Sequence, residues 1–191
     1  MRCYIYIFRH GVTNDNYLGK FSGWRDVGLN AKGVRDAKIV ALRLKGKKID
    51  AAFQSSLKRS KQTLNYVLKF HPECKMIVTD DRIIERNYGK LQGKTHLEVV
   101  EKKGFEQYDK WHRGYENRPP AGESLKDVEK RVNSFIKDMI KLIKRDKINV
   151  AISAHNNSMR PFRKFFEKLN NEEMRTLYND YEAVYTYSIE V

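Results

Sequence analysis

Apolar positions fall into two alternating rhythms along this 191-residue chain. Cys3 to Phe8 is apolar, and β-branched or aromatic at most positions, which predicts a strand buried on both faces. Similar short runs at Ala51–Gln54, Lys75–Thr79, Asn149–Ser153 and Tyr185–Val191 predict four more strands. Between them the spacing lengthens to three and four residues. Asn30 is placed to cap a helix over Ala31–Lys45, with Val34, Ala37, Ala41 and Leu44 on one face. Ser56 is expected to cap a helix carrying Leu57, Leu64, Val67 and Leu68. Thr95-His96-Leu97-Glu98 is a capping-box pattern that opens a short helix ending near Gly104, and a second short helix is expected from Phe105 to Tyr115. Ser124 opens the longest helix, with Val128, Val132, Phe135, Met139 and Ile143 as its buried stripe. Ser158–Leu169 is expected to turn Phe162, Phe165 and Phe166 toward the core. There is no internal repeat, linker or low-complexity tract. Strand and helix in alternation predict a three-layer α/β/α fold with a mainly parallel sheet, in one domain over residues 1–191.

In such sheets ligands bind beyond the carboxyl ends of the strands. That rule selects Arg9-His10-Gly11 after the first strand and His155-Asn156-Asn157 after the fourth. A neutral imidazole at His10 can attack a phosphoryl group in line and become phosphorylated. The neighbouring Arg9 offers forked donors suited to phosphate oxygens, and Gly11 is expected to let the backbone approach a ligand. His155 could donate to the same oxygens. Taken singly, each is as easily an ordinary polar loop residue; their shared position in the fold is what raises them.

Composition narrows the setting. Two cysteines, Cys3 and Cys74, argue against a disulfide scaffold, and no CxxC, HExxH or Cys/His cluster suggests a metal, so no metal is expected. The longest apolar run is too short to span a membrane, and the first residues lack a signal-peptide pattern, so a cytoplasmic protein is expected. Lys and Arg number 38 against 24 Asp and Glu, giving a net charge of +14. Nucleic-acid binding, anionic small molecules and a merely lysine-rich surface all fit that charge. Around Lys45, Lys47 and Lys48 and along the 125–145 helix the charges could meet phosphodiesters. Asp127, Glu129 and Asp138 interleave there, as on a solvated helix face, and no nucleic-acid motif is present.

Almost end to end, the chain resembles the histidine phosphatase superfamily, and within it the 2,3-bisphosphoglycerate-dependent phosphoglycerate mutases. FRHG (Phe8 to Gly11) resembles the superfamily signature. FSGWRDVGLNAKG (Phe21 to Gly33), SSLKRSKQTL (Ser55 to Leu64), ERNYGKLQG (Glu85 to Gly93), KWHRGYENRPP (Lys110 to Pro120), ESLKD (Glu123 to Asp127) and SAHNNSMR (Ser153 to Arg160) are similar to mutase segments. The resemblance implies that His10 is the nucleophile and Glu85 the general acid and base. Arg9, Arg59 and His155 would hold the transferring phosphoryl group, with Asn16 and the backbone at Asn157. Ser22, Gly23, Arg86, Tyr88 and Arg113 would hold the rest of the substrate. The implied reaction interconverts 3- and 2-phosphoglycerate on a small anionic phosphoester, primed by 2,3-bisphosphoglycerate and without a metal; self-association stays open. Ser124 reads as a helix cap, and Trp24 and Trp111 as packing residues.

Four departures qualify the resemblance. His96 stands where the mutases carry a lysine, with Lys94 or Lys90 as substitutes within reach. His112 replaces the first of two arginines, which makes distal anion binding weaker or pH-dependent. Asn156 replaces a glycine, and tolerates a left-handed turn there. The insertion between Pro120 and Glu123 is short, and the chain shows no tail beyond its last strand, so less cover is expected over the site. GKTH (Gly93 to His96) looks like a segment of broad-specificity phosphatases, which keeps transfer to water open beside the mutase reading.

Overall fold

The computed structural model describes residues 1–191. Its five strands are β1 (Arg2–Arg9), β2 (Ala51–Gln54), β3 (Met76–Thr79), β4 (Val150–Ala154) and β5 (Val184–Glu190), in the sheet order β3-β2-β4-β1-β5. The first four run parallel, and β5 lies antiparallel along β1. The helices are α1 (Asn14–Tyr17), α2 (Ala31–Leu44), α3 (Lys58–Leu68), α4 (His96–Lys103), α5 (Phe105–Arg113), α6 (Leu125–Asp146), α7 (Asn156–Glu167) and α8 (Asn171–Thr176).

The expected layering is present because β1 is apolar on both faces. Cys3, Ile5 and Ile7 pack with Val128, Val132, Phe135, Met139 and Ile143 of α6 and with Met159 and Phe162 of α7. Tyr6 and Phe8 point the other way, onto Val40, Ala41 and Leu44 of α2 and Leu64 and Val67 of α3. A smaller apolar group, Phe21, Tyr88, Leu91 and Val99, seats α4 and α5 beside the sheet's carboxyl edge, and Trp111 packs on it. No helix is long and apolar enough to cross a membrane.

Local expectations failed in four places. Ser56 does not cap α3. That helix starts at Lys58, whose N–H donates to Asp26 Oδ1 at 2.7 Å, while the Ser56 N–H goes to Asp81. α7 begins at Asn156, two residues early, because its second N–H, from Asn157, is accepted by Glu85 Oε1 at 3.2 Å. Both boundaries are set by carboxylates far away in sequence. Phe165 is half exposed: Met159, Phe162 and Phe166 form the inward stripe, and Phe165 falls at its edge. The short helices α1 and α8 carry capping boxes at Thr13–Asn16 and Asn170–Glu173 but no apolar rhythm. Ser124 caps α6 as expected, in a capping box with Asp127.

Candidate active site

Sheet register brings the two histidines together. Arg9 and Ala154 are the last paired residues of β1 and β4, and the His10 N–H donates to the Ala154 carbonyl at 3.1 Å. His10 and His155 therefore leave the sheet side by side, with ring centroids 4.9 Å apart. Both rings are buried.

The loop after β1 spends its backbone donors on the protein. Gly11 N–H donates to Thr63 Oγ1, Val12 N–H to Asp36 Oδ2 and Thr13 N–H to Asn16 Oδ1, each at 3.1 Å. No backbone nest is left there for an anion, unlike a glycine-rich phosphate loop. Nor is Gly11 a place of approach to a ligand, as expected above. A Cβ on Gly11 would overlap the Gly33 carbonyl, and one on Gly33 would overlap the Val12 carbonyl, so this glycine pair lets the start of α2 pack on the loop.

Side chains must therefore do the binding, and their state is legible from their partners. His10 Nδ1 lies 2.7 Å from the Gly11 carbonyl, an acceptor only, so Nδ1 carries the proton and Nε2 a lone pair. Arg59 Nε–H donates to that Nε2 at 3.2 Å, while its Nη1 and Nη2 donate to the carbonyls of Arg25 and Gly23. Burial, then the positive charges of Arg59 and Arg9, pushes the His10 imidazole well below its ordinary value. His155 is lowered in the same way, by burial first and then by Arg59 and His10. Its Nε2 lies 2.8 Å from Ser55 Oγ, which accepts the Leu57 N–H and so has its own proton to give. With Ser55 donating to Nε2, His155 carries its proton on Nδ1, which is then a donor.

Six buried side-chain nitrogens or oxygens lack any partner, and three of them are Arg9 Nε, Ser22 Oγ and His155 Nδ1. A buried polar atom without a partner costs about 1–3 kcal/mol. All three can donate: Arg9 and Ser22 line one cleft, and the His155 ring stands beside His10; unpartnered donors of this kind suit the oxygens of a phosphoryl group. Glu85 completes the constellation. Its Oε1 accepts the Arg86 N–H, the Asn157 N–H and Asn157 Nδ2, and its Oε2 has no protein partner. Glu85 lines the same cleft as Arg9, Asn16, Ser22, Gly23, Tyr88, His96, His112, Asn156 and Asn157. No group of three or more His, Cys, Asp or Glu is placed to hold a metal ion.

Several expected site residues stand elsewhere or do other work. All three guanidinium nitrogens of Arg86 donate to backbone carbonyls, those of Glu123, His112 and Asn117, so this buried arginine ties loops together. Lys94 and Arg113 are exposed and lie outside the cleft lining, whereas His96 and Lys20 line it. The Asn157 N–H is bonded to Glu85, and so is not free for a phosphate. Asn156 has no left-handed backbone; its Oδ1 instead accepts from Asn179. Gly23 does need its freedom: φ is +51°, and a Cβ would strike Gln92, whose Oε1 accepts the Trp24 N–H.

The sequence reading missed three supports. Arg131 donates to the carbonyls of Arg82, Ile84 and Glu85 and clamps the segment that presents Glu85. Arg160 Nη1 holds Asn157 Oδ1 at 2.9 Å. The segment between α8 and β5 covers Arg9: the Asn179 carbonyl accepts from Nη1, and the Tyr181 ring lies 3.7 Å from the guanidinium carbon. Some cover over the site thus comes from within the chain, ahead of its last strand.

Comparison with known proteins places this geometry in context. The family model for the histidine phosphatase superfamily (branch 1) matches residues 5–190. A protein of Cytophaga hutchinsonii named 2,3-bisphosphoglycerate-dependent phosphoglycerate mutase is 38% identical over 168 residues, covering 88% of this chain and 79% of that relative. One of the same name from Methanosarcina acetivorans is 31% identical, covering 97% of this chain and 92% of its own length. Among solved structures, a mycobacterial glucosyl-3-phosphoglycerate phosphatase superposes with a TM-score of 0.84 at 20% identity, over 98% of this chain and 91% of that one, a likeness of fold.

Proposed function

The chain belongs to the histidine phosphatase superfamily, and we propose that within it the protein is a 2,3-bisphosphoglycerate-dependent phosphoglycerate mutase, working as one domain in the cytoplasm. The observation that carries this reading is the set of three buried, unpartnered donors, on Arg9 next to His10 in the chain, on His155 whose ring lies 4.9 Å from that of His10, and on Ser22 in the cleft that Arg9 also lines. The homologues named as mutases supply the substrate class.

In this reading His10 Nε2 attacks the phosphorus of the primer in line. The N–P bond forms as the P–O bond breaks, and the leaving oxygen takes a proton from Glu85 Oε2. Arg9 Nε, Ser22 Oγ and His155 Nδ1 receive the three equatorial oxygens, with Arg59 turning its Nε–H from the histidine to the arriving group. In the second half, Glu85 takes the proton from the acceptor hydroxyl of 3-phosphoglycerate as its oxygen attacks the phosphohistidine and the N–P bond breaks; the 2,3-bisphosphoglycerate formed turns round and returns its 3-phosphate to His10, with Glu85 protonating the leaving oxygen, to give 2-phosphoglycerate. Losing one such oxyanion donor costs on the order of 10²–10³ in rate. The partner is a small anionic phosphoester, with no part for a metal, a nucleic acid or a membrane.

Conversion of 3- to 2-phosphoglycerate, followed beside phosphate release, tests the reading. Isomerisation stimulated by 2,3-bisphosphoglycerate is expected, and either activity surviving in His10→Ala would overturn the mechanism. One observation favours a second reading, transfer to water. In the distal rim His96 and His112 stand where the mutase segments carry a lysine and an arginine, and this lower fixed positive charge suits phosphomonoesters with no second anion. Phosphate release without isomerisation would select it.

A further inference from the structure

Away from His10, two histidines at the rim of the cleft share one phenol. Tyr108 Oη lies 3.2 Å from His96 Nδ1 and 2.9 Å from His112 Nδ1. The imidazole centroids are 4.9 Å apart, and Phe21 packs against both rings. Both rings line the cleft. Neither Nε2 has a protein partner, and neither is among the sealed, unpartnered nitrogens, so both are open to the cleft or to solvent.

Counting protons fixes what this rim offers. A phenol has one hydrogen. It can donate to one Nδ1, and then must accept Nδ1–H from the other ring. Each neutral imidazole carries one N–H, so the ring that receives the phenol's hydrogen has Nε2–H, and the ring that donates to the phenol has a bare Nε2. The neutral rim therefore presents one donor and one acceptor. A hydroxyl, which both donates and accepts, matches it. A carboxylate or phosphate has only acceptors, and would face a lone pair on one side. One added proton turns the rim into two donors with a positive charge.

In the free protein that proton is held off. Burial lowers His96, and burial together with His96 and the arginines lowers His112 to about 3. The cations whose charge reaches the rim are Lys20 in the cleft lining, Arg86, Arg113 at the end of α5, and Arg160 from α7; the ionisable groups of opposite or no charge are Glu85, Asp109 and Tyr88. The excess of cations opposes a further positive charge until an anion arrives.

We propose that His96, Tyr108 and His112 form the specificity element for the distal end of the substrate: they accept a hydroxyl as they stand, and a carboxylate or phosphate only with uptake of one proton. The inference rests on the reading that the transferring phosphoryl group lies at His10. It makes the affinity for a second anion fall by about tenfold per pH unit above neutrality, relative to a hydroxyl ligand.

The test is calorimetric titration of the whole chain with two ligands whose C–P bond prevents turnover, the phosphonate isosteres of 3-phosphoglycerate and of glycerol 3-phosphate. Heats are compared in buffers of different ionisation enthalpy, at several values between about pH 6.5 and 8.5. The carboxylate ligand is expected to take up about one proton more than the hydroxyl ligand, with relative affinity falling about tenfold per pH unit. Y108F frees both rings to present Nε2–H and is expected to abolish the difference. H112R supplies a fixed cation and is expected to do the same while raising carboxylate affinity at high pH. Equal proton counts in the wild type, an unchanged difference in both variants, or binding of neither ligand at any pH would overturn the proposal. Failure of the mutase reading would show separately, as absence of primer-stimulated isomerisation.

Discussion

Lowering the pH from about 6.5 to about 5.5 should cost this fold roughly 3 kcal/mol. Three buried histidines set that figure. His10 and His155 are held well below their ordinary value, chiefly by burial, and His112 is lowered to about 3. In the unfolded chain each returns to about 6.5. Folding therefore favours the neutral rings, and the unfolded chain binds more protons once the pH drops below that value. The stability each ring contributes is complete above about pH 6.5 and is lost as the pH falls toward its depressed native value. Over the interval in question each loses about 1 kcal/mol. His96, also lowered, adds in the same direction. Ordinary carboxylates, near 4, titrate mostly below this window. Urea unfolding in phosphate-free buffer at the two pH values measures the loss. His155→Gln and His112→Gln should each remove about 1 kcal/mol of the pH dependence, whatever they do to absolute stability. A wild-type stability that does not change across the window, or variants that lose as much across it as the wild type does, would refute the neutral-histidine description of the site.

Three further outcomes follow from packing. Gly33→Ala forces a Cβ into the Val12 carbonyl and should cost about 3 kcal/mol, read as a lowered Tm. Arg86→Met strands three carbonyls and should destabilise by about 3 kcal/mol or more, with KM of the folded fraction within about twofold of wild type; a large rise in KM without loss of stability would restore Arg86 to the substrate. Phe162→Ala should cost about 3–5 kcal/mol and Phe165→Ala under about 1, in denaturant unfolding, since only the first ring is fully buried.

The chain makes its central strands and its two histidines easy to read, for a physical reason. β1 and β4 are apolar on both faces because helices cover both, and the switch-point rule then puts His10 and His155 at adjacent strand ends. Helix starts were harder where the cap comes from afar. Asp26 anchors α3 and Glu85 anchors α7, and no local pattern shows that. Family resemblance pointed to Arg86, Lys94 and Arg113 as ligands, but charge alone does not say where a long side chain goes: Arg86 is consumed by carbonyls, and the other two face solvent. Asn170 to Glu173 did carry a readable capping box before α8, and the Tyr181 that lies over Arg9 follows shortly after it. Arg131 gave no signal at all, since its work is to hold three carbonyls of a loop some 47 residues away.

The most direct measurement is the mass of the intact protein after brief mixing with 2,3-bisphosphoglycerate, followed by peptide mapping under alkaline conditions. One acid-labile phosphoryl group on His10 is expected, absent in His10→Gln and discharged by 3-phosphoglycerate. A chain that takes up no phosphoryl group, or a label that persists in His10→Gln, would contradict the assignment of His10 as the nucleophile.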